Sequence, residues 1–218
     1  GDLIIGNSLF GILPVYYYTD NKRIVLSENA LTLGKYLDKD LVSKRFILET
    51  VLFNYPLFNN SIIEGINLLP SNSYIKITGM KKDIIKHTNI DDFFSTNPKP
   101  WKRSTAYITD LFISTVKRYL PDIPYVHALT GGFDSRTLVA SGLYYKKDFS
   151  CYSFGSDVSK DVQVASELAV KASLNFINIC LDDNYATASS LSSGKEFVFN
   201  SSGSATFARA HYLHAAKI

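Results

Sequence analysis

Eight consecutive residues, Leu129-Thr130-Gly131-Gly132-Phe133-Asp134-Ser135-Arg136, gather the groups that a polyphosphate requires. Paired glycines let the backbone approach a ligand with no Cβ in the way and let successive N–H groups converge on an anion. Thr130 and Ser135 offer hydroxyl donors, Arg136 a fixed positive charge, and Asp134 a hard oxygen ligand for a divalent cation. The same residues would also serve as a tight strand-to-helix turn closed by a capping Ser or Asp. The full Thr-Gly-Gly-Phe-Asp-Ser run, placed after an apolar strand, favours phosphate over the turn alone. Neither Gly-x-x-x-x-Gly-Lys-Ser/Thr nor Gly-x-Gly-x-x-Gly occurs in the 218 residues, so the loop is neither a mononucleotide P-loop nor a dinucleotide fingerprint.

The elements around this loop alternate. Residues 125–129 read as a strand and 135–145 as a helix, followed by a strand over 149–154, a helix over 161–172 and a strand over 175–181. A helix capped by Ser104 precedes them and runs to about residue 120, with Ile108, Leu111, Phe112 and Val116 on one face. Another follows over 205–217. Strands alternating with helices of this length predict a parallel sheet, and the loop then sits at the carboxyl end of a strand, where open α/β sheets bind ligands.

The first part of the chain has another rhythm. Residues 14–18 and 23–27 flank the turn-forming Thr19-Asp20-Asn21-Lys22 and predict a hairpin. Helices are expected over 28–37 and 43–53, the second capped by Ser43 with Leu41, Phe46, Ile47, Val51 and Leu52 at helical spacing, and a strand over 73–78. From residue 79 the pattern loosens into Ser95-Thr96-Asn97-Pro98-Lys99-Pro100, where two prolines disfavour regular structure. The expected organisation is a domain over 1–80, a linker over 81–100 and a second domain over 101–218.

Composition narrows the function classes. The chain is 46% hydrophobic and 20% charged with a net charge of +3, which fits a globular protein and gives no basic platform for nucleic acid. Its longest apolar run, 9–18, is interrupted by Gly11 and Pro14 and is too short to span a membrane. Cys151 and Cys180 fall in predicted strands and read as small buried hydrophobes in a reducing cytoplasm, with no targeting signal at the front of the chain. Ser114-Thr115-Val116-Lys117 and Ser192-Ser193-Gly194-Lys195 lack the companion motifs of a serine acyl enzyme. His87, His127, His211 and His214 lack partners at zinc spacing.

The segment from Thr130 to Ser135 resembles the pyrophosphate-binding loop, Ser-Gly-Gly-x-Asp-Ser, of the adenine-nucleotide α-hydrolase or PP-loop superfamily. Within it the chain is most similar to asparagine synthetases and relatives such as β-lactam synthetases. Thr130 stands where Ser is usual, preserving the hydroxyl, and Arg136 where many members carry another Ser. Cys151-Tyr152-Ser153-Phe154-Gly155, followed by Ser159-Lys160-Asp161, is similar to the family's second strand and its Gly turn. Leu9-Phe10-Gly11-Ile12-Leu13-Pro14-Val15-Tyr16-Tyr17, Ile24-Val25-Leu26-Ser27-Glu28 and Gly65-Ile66-Asn67-Leu68-Leu69-Pro70 are similar to late segments of the class II glutamine amidotransferase domain. Together these matches cover most of the chain in the family's order.

The resemblance implies an α/β fold: a PP-loop (adenine-nucleotide α-hydrolase-like) parallel sheet with flanking helices, preceded by an α+β remnant of an Ntn-hydrolase-type amidotransferase domain. It implies ATP and Mg²⁺, with Thr130, Gly131, Gly132, Ser135 and Arg136 on the pyrophosphate, Leu129, Phe154 and Gly155 at the adenine, and Asp134 on the metal. Phe154 reads equally well as core. The implied activity activates a carboxylate, aspartate first, as an acyl-adenylate with release of pyrophosphate, and then amidates it with ammonia or glutamine-derived ammonia. The alternatives are a β-lactam synthetase-like amide ligase, another PP-loop activity such as tRNA thiolation, and a nucleotide-binding relative without turnover; absent Cys pairs disfavour thiolation. A homodimer is compatible with the resemblance, and neither nucleic acid nor membrane is an expected partner. The family's N-terminal nucleophilic Cys and its later acidic Gly-rich loop have no counterpart in the sequence. The chain is therefore read as parts of two domains that should not hydrolyse glutamine, and no catalytic residue is assigned.

Overall fold

The computed structural model describes residues 1–93, 101–190 and 192–218, so the proline-rich boundary at 95–100 lies outside the described residues. Along the chain run β1 (Asp2–Gly6), β2 (Tyr16–Thr19), β3 (Ile24–Ser27), α1 (Ala30–Tyr36), α2 (Lys44–Phe53), β4 (Asn67–Leu68), β5 (Ser73–Thr78), β6 (Lys81–Lys86), α3 (Trp101–Val116), β7 (Tyr125–Ala128), α4 (Phe133–Tyr144), β8 (Phe149–Phe154), α5 (Lys160–Lys171), β9 (Phe176–Ile179), α6 (Asp183–Ser190), α7 (Ser192–Asn200) and α8 (His211–Ala215). They make a mixed α/β protein of two compact units, one of Gly1–Thr96 with Ser189–Ile218, the other of Asn97–Ala188.

The first unit holds two antiparallel sheets, in the orders β1-β5-β6 and β3-β2-β4. Successive side chains on a strand point to opposite faces. Tyr16 therefore packs with Ala30 and Leu33 of α1, while its neighbour Tyr17 packs with Leu69 and Ile75 beside the other sheet. Asn29 caps α1 by accepting from Thr32 N at 2.9 Å, and Ser43 caps α2 by accepting from Phe46 N at 3.3 Å, as its sequence position predicts. The expected hairpin forms, with Tyr16 opposite Ser27. Residues 81–86, read from the sequence as linker, are instead the edge strand β6. Gly79, at φ +61°, supplies the left-handed turn that pairs Thr78 with Lys81. The end of the chain also differs from expectation: the predicted helix over 205–217 is a 3-10 turn at Phe207–Arg209 and the short α8.

The second unit carries the expected parallel sheet, in the order β7-β8-β9. Tyr125 lies opposite Phe149 and Cys151 opposite Phe176. Phe149, Cys151 and Leu129 form its core with Val139 of α4 and Ala165 and Ala169 of α5. Cys151 is fully buried, as expected, whereas Cys180 lies past the end of β9 and is exposed, and both thiols are free. Helix α3 ends at Val116 rather than near residue 120. Val116 is buried, but Ile108, Leu111 and Phe112, expected to share a packed face, are exposed. The helix is tied to the end of α4 through Tyr145, whose hydroxyl donates to Ile113 O at 2.7 Å.

Gly142 shows how closely α4 seats on the sheet, since a Cβ there would stand 2.7 Å from the Phe149 ring and 3.0 Å from the Tyr125 hydroxyl. Gly142→Ala is expected to destabilise the chain by about 1–3 kcal/mol, the cost of overpacking a filled core. Urea unfolding followed by circular dichroism measures this, and an unchanged midpoint would show that the ring can move aside.

Candidate functional site

The loop at 129–136 leaves β7 and opens α4, and its first residue is already fixed. Leu129 is 1% exposed within the core and donates its N–H to Tyr152 O at 2.8 Å. Its side chain packs in the core with Val139, Phe149 and Cys151, so what it offers at the sheet edge is backbone. Beyond it the loop closes on itself. Thr130 Oγ1 accepts the Gly132 N–H at 3.1 Å, and Ser135 Oγ accepts the Thr130 N–H at 3.1 Å. The Ser135 hydroxyl proton can turn to Thr130 O at 3.3 Å or Gly132 O at 3.2 Å. Arg136 Nε donates to Gly132 O at 3.2 Å, which folds the guanidinium back along the loop.

A side chain at either loop glycine would be crowded, and neither position calls for the left-handed region. Neither Gly131 nor Gly132 has a positive φ, so the alternating left-handed nest that paired glycines permit does not form. A Cβ at Gly131 would come within 3.3 Å of Asp161 Oδ1 and 3.6 Å of Val164 Cγ1, and one at Gly132 within 3.1 Å of Thr130 Oγ1. Gly132 is the extended residue before α4. The amides of Phe133, Asp134 and Ser135 then begin the helix without intrahelical acceptors, so the donors for an anion are those of the helix start.

The neighbouring strand delivers its own turn to the same edge. Gly155 has φ +134°, and a Cβ there would press on Ser159 Oγ at 3.1 Å. Ser159 caps α5, accepting from Val162 N at 3.3 Å. The Gly155 N–H is spent on Ile179 O at 3.1 Å, leaving the carbonyl as its free polar group. Phe154 is partly buried and meets Tyr152 edge to face, with ring centroids 5.4 Å apart. The residues expected at phosphate, metal and adenine thus leave the carboxyl ends of the adjacent strands β7 and β8.

Sequence reasoning missed what lies beneath and beside the loop. Asp161, in the first turn of α5, faces Gly131; an acid two residues after a capping Ser, on the next helix of a parallel sheet, was the available signal. Under the loops the buried face of the sheet changes character. It is apolar at Phe149 and Cys151, but His127 Nε2, Ser153 Oγ and Asn178 Oδ1 are buried without a hydrogen-bond partner. Ser153 and Asn178 lie directly opposite each other, and Asn178 Nδ2 donates to Asp157 Oδ1 at 2.5 Å. Unpartnered buried polar atoms are uncommon in native folds, and here they gather below the edge where ligands of such sheets bind. Beside the start of α4 a cleft of about 450 Å³ is lined by Phe112, Phe133, Asp134, Thr137 and Leu138.

Among the described residues no group of three or more His, Cys, Asp or Glu is placed to hold a metal ion. A hard cation at Asp134 would draw its other ligands from phosphate oxygens and water, the usual manner of magnesium at nucleotide sites. No helix of the described residues is long and apolar enough to cross a membrane. No protein-family model matches the chain, and no curated protein matches it.

Burial pushes the His127 imidazole below its ordinary pKa of 6.5, opposed by a weaker hydrogen bond to the Ser135 backbone. The folded chain keeps this ring neutral where the unfolded chain binds a proton, so the associated stability is complete above about pH 6.5 and declines as pH falls below it. Urea midpoints should drop further between pH 7.5 and pH 5.5 for the parent than for His127→Phe. Equal drops would clear the imidazole of the effect.

Proposed function

We propose that the chain carries the nucleotide-binding part of an asparagine synthetase-like, AMP-forming amide ligase of the PP-loop type. The observation that carries this reading is the Thr130–Ser135–Arg136 loop, set at the carboxyl end of a parallel strand and opening a helix whose first amides are free. In this reading Thr130, Gly131, Gly132, Ser135 and Arg136 hold the β- and γ-phosphates of ATP, and the backbone at Leu129, Phe154 and Gly155 borders the adenine. Asp161 sharpens it. Two carboxylates, Asp134 and Asp161, flank the loop, and a polyphosphate beside them is favourable only with a cation between. A magnesium ion on Asp134 would supply that neutralisation and stabilise the charge of the departing pyrophosphate.

The reaction transfers an adenylyl group. A substrate carboxylate oxygen, with aspartate the first acid to test, bonds to the α-phosphorus while the bond from that phosphorus to the bridging oxygen breaks, releasing pyrophosphate. Ammonia then attacks the acyl carbon, AMP leaves, and the amide nitrogen loses a proton to solvent. The chain's own residues bind and orient in both steps, which is where most of the rate arises in phosphoryl-group chemistry. A cytoplasmic setting, where ATP is available, suits this reading. One observation favours a second: Gly132 and Gly155 both spend their amides within the protein, which fits a relative that binds nucleotide without turnover.

Asp134→Ala should slow ATP–pyrophosphate exchange on the order of 10²-fold, the scale for removing one preorganised electrostatic group. Unchanged exchange would sink the metal assignment. Gly132→Val, which drives a side chain into Thr130, should abolish Mg-ATP binding measured by calorimetry while circular dichroism stays unchanged. Retained affinity would reduce the loop to a turn, and binding without pyrophosphate release from any carboxylate would select the second reading.

A further inference from the structure

Between α5 and β9, the last strand in the sheet order, lies a groove of about 440 Å³ that the loop at 129–136 does not line. Its charged lining is acidic: Asp157, just before the cap of α5, and Glu167, well along the helix. Among the described residues neither carboxylate has a base beside it in an ion pair. Glu167 stands about 12 Å along the helix from Ser159, so the two acids mark different ends of the groove. Val162 and Phe176 give it apolar walls.

The polar tract of the sheet reaches this groove at its Asp157 end. Asn178 lines it and donates Nδ2 to Asp157 Oδ1 at 2.5 Å, which fixes the amide with Oδ1 turned away. That oxygen is buried without a partner. Directly opposite on β8, Ser153 is 2% exposed and its Oγ has no partner either. Both residues lie on the face that α5 covers, and they share no hydrogen bond. Turning the amide over would let Nδ2 donate to Ser153, but Oδ1 would then face the Asp157 carboxylate. A cation between Asp157 and the amide makes the turned arrangement favourable.

We propose that this groove binds a linear aliphatic polyamine, with one ammonium group on Asp157, another on Glu167 and the methylenes over Phe176 and Val162. The first ammonium takes the place of the amide on Asp157. Asn178 then turns over, its Nδ2 donating to Ser153 Oγ and its Oδ1 accepting from the ammonium. An ammonium carries three donors and no acceptor, which suits a pocket end made of acceptors. A metal ion would need ligands that converge, whereas these acids are set apart and among the described residues no three acidic, His or Cys side chains gather. The net charge of +3 repels a polycation at long range, so affinity must come from the groove itself. The proposal is independent of any nucleotide chemistry.

Calorimetry of the full chain at physiological ionic strength is expected to show saturable, one-to-one binding of spermidine. Butylamine, with a single ammonium group, should bind on the order of tenfold more weakly. Asp157→Asn and Glu167→Gln should each weaken spermidine by a similar factor with unchanged circular dichroism, while Glu64→Gln, in the first unit, should leave it unchanged. The side-chain amide resonances of Asn178 should shift on adding spermidine to the parent and stay in place in Asp157→Asn. Absence of saturation up to millimolar spermidine overturns the proposal, as does equal affinity for butylamine or indifference to both substitutions. Displacement of spermidine by an equal concentration of Mg²⁺ would make the groove a metal site and overturn it as well.

Discussion

Parallel pairing is the constraint on which the rest of the second unit depends. Strands that run the same way must all leave the sheet at one edge, and the register of β8 against β7 and β9 decides how level those exits are. Here it puts the starts of α4 and α5 next to each other. Two helix N-termini, each worth about half a positive charge, converge there, and each carries a carboxylate in its first turn, Asp134 and Asp161. The two carboxylates outweigh the two helix ends, so under the proposed function such an edge would take an anion only together with a cation, a requirement that a helix end without the acids would not impose.

The polar tract beneath the loops extends this logic into the core. A sheet built for stability alone would continue apolar from Cys151 to its end. Instead Ser153 and Asn178 follow it, with His127 directly opposite Cys151, and all three leave acceptors or donors unmatched. Each such atom costs stability, and a cluster of them is the pattern expected where a fold gives up packing to keep hydrogen-bonding capacity near a ligand.

Local patterns were legible in the sequence and cross-chain ones were not. The alternation of β7, α4, β8, α5 and β9 could be read because each element carries its own periodicity, and Ser43 could be named as a cap because capping involves only the next turn. β6 escaped notice because an exposed edge strand of Lys, Asp and Ile owes its form to the neighbour it pairs with. Ile108 and Leu111 announced an apolar face, but periodicity says only that a face exists and nothing about what lies against it. The approach of Asp161 to Gly131 joins residues 30 apart through strand order, and the local signal, an acid in the turn after Ser159, does not say which loop it meets. The loop glycines were singled out for the close approach that a missing Cβ allows, and what the sequence did not announce is the neighbour: a side chain at Gly131 would crowd Asp161 and one at Gly132 would crowd Thr130.

After the parallel sheet the chain returns to the unit in which it began. Ser202 Oγ accepts the N–H of Ala30 at 3.0 Å, and Phe199 O accepts from Asn29 Nδ2 at 2.7 Å, so the start of α1 is completed by residues about 170 positions later. Gly203, at φ +68°, lies against Ile62 in the same region. A ribosome emitting this chain from its amino end produces every contact of the sheet unit before it produces the last partners of α1. The order of assembly therefore inverts the order of sequence: the unit that begins first is finished last, and closing it waits on a loop of about 170 residues.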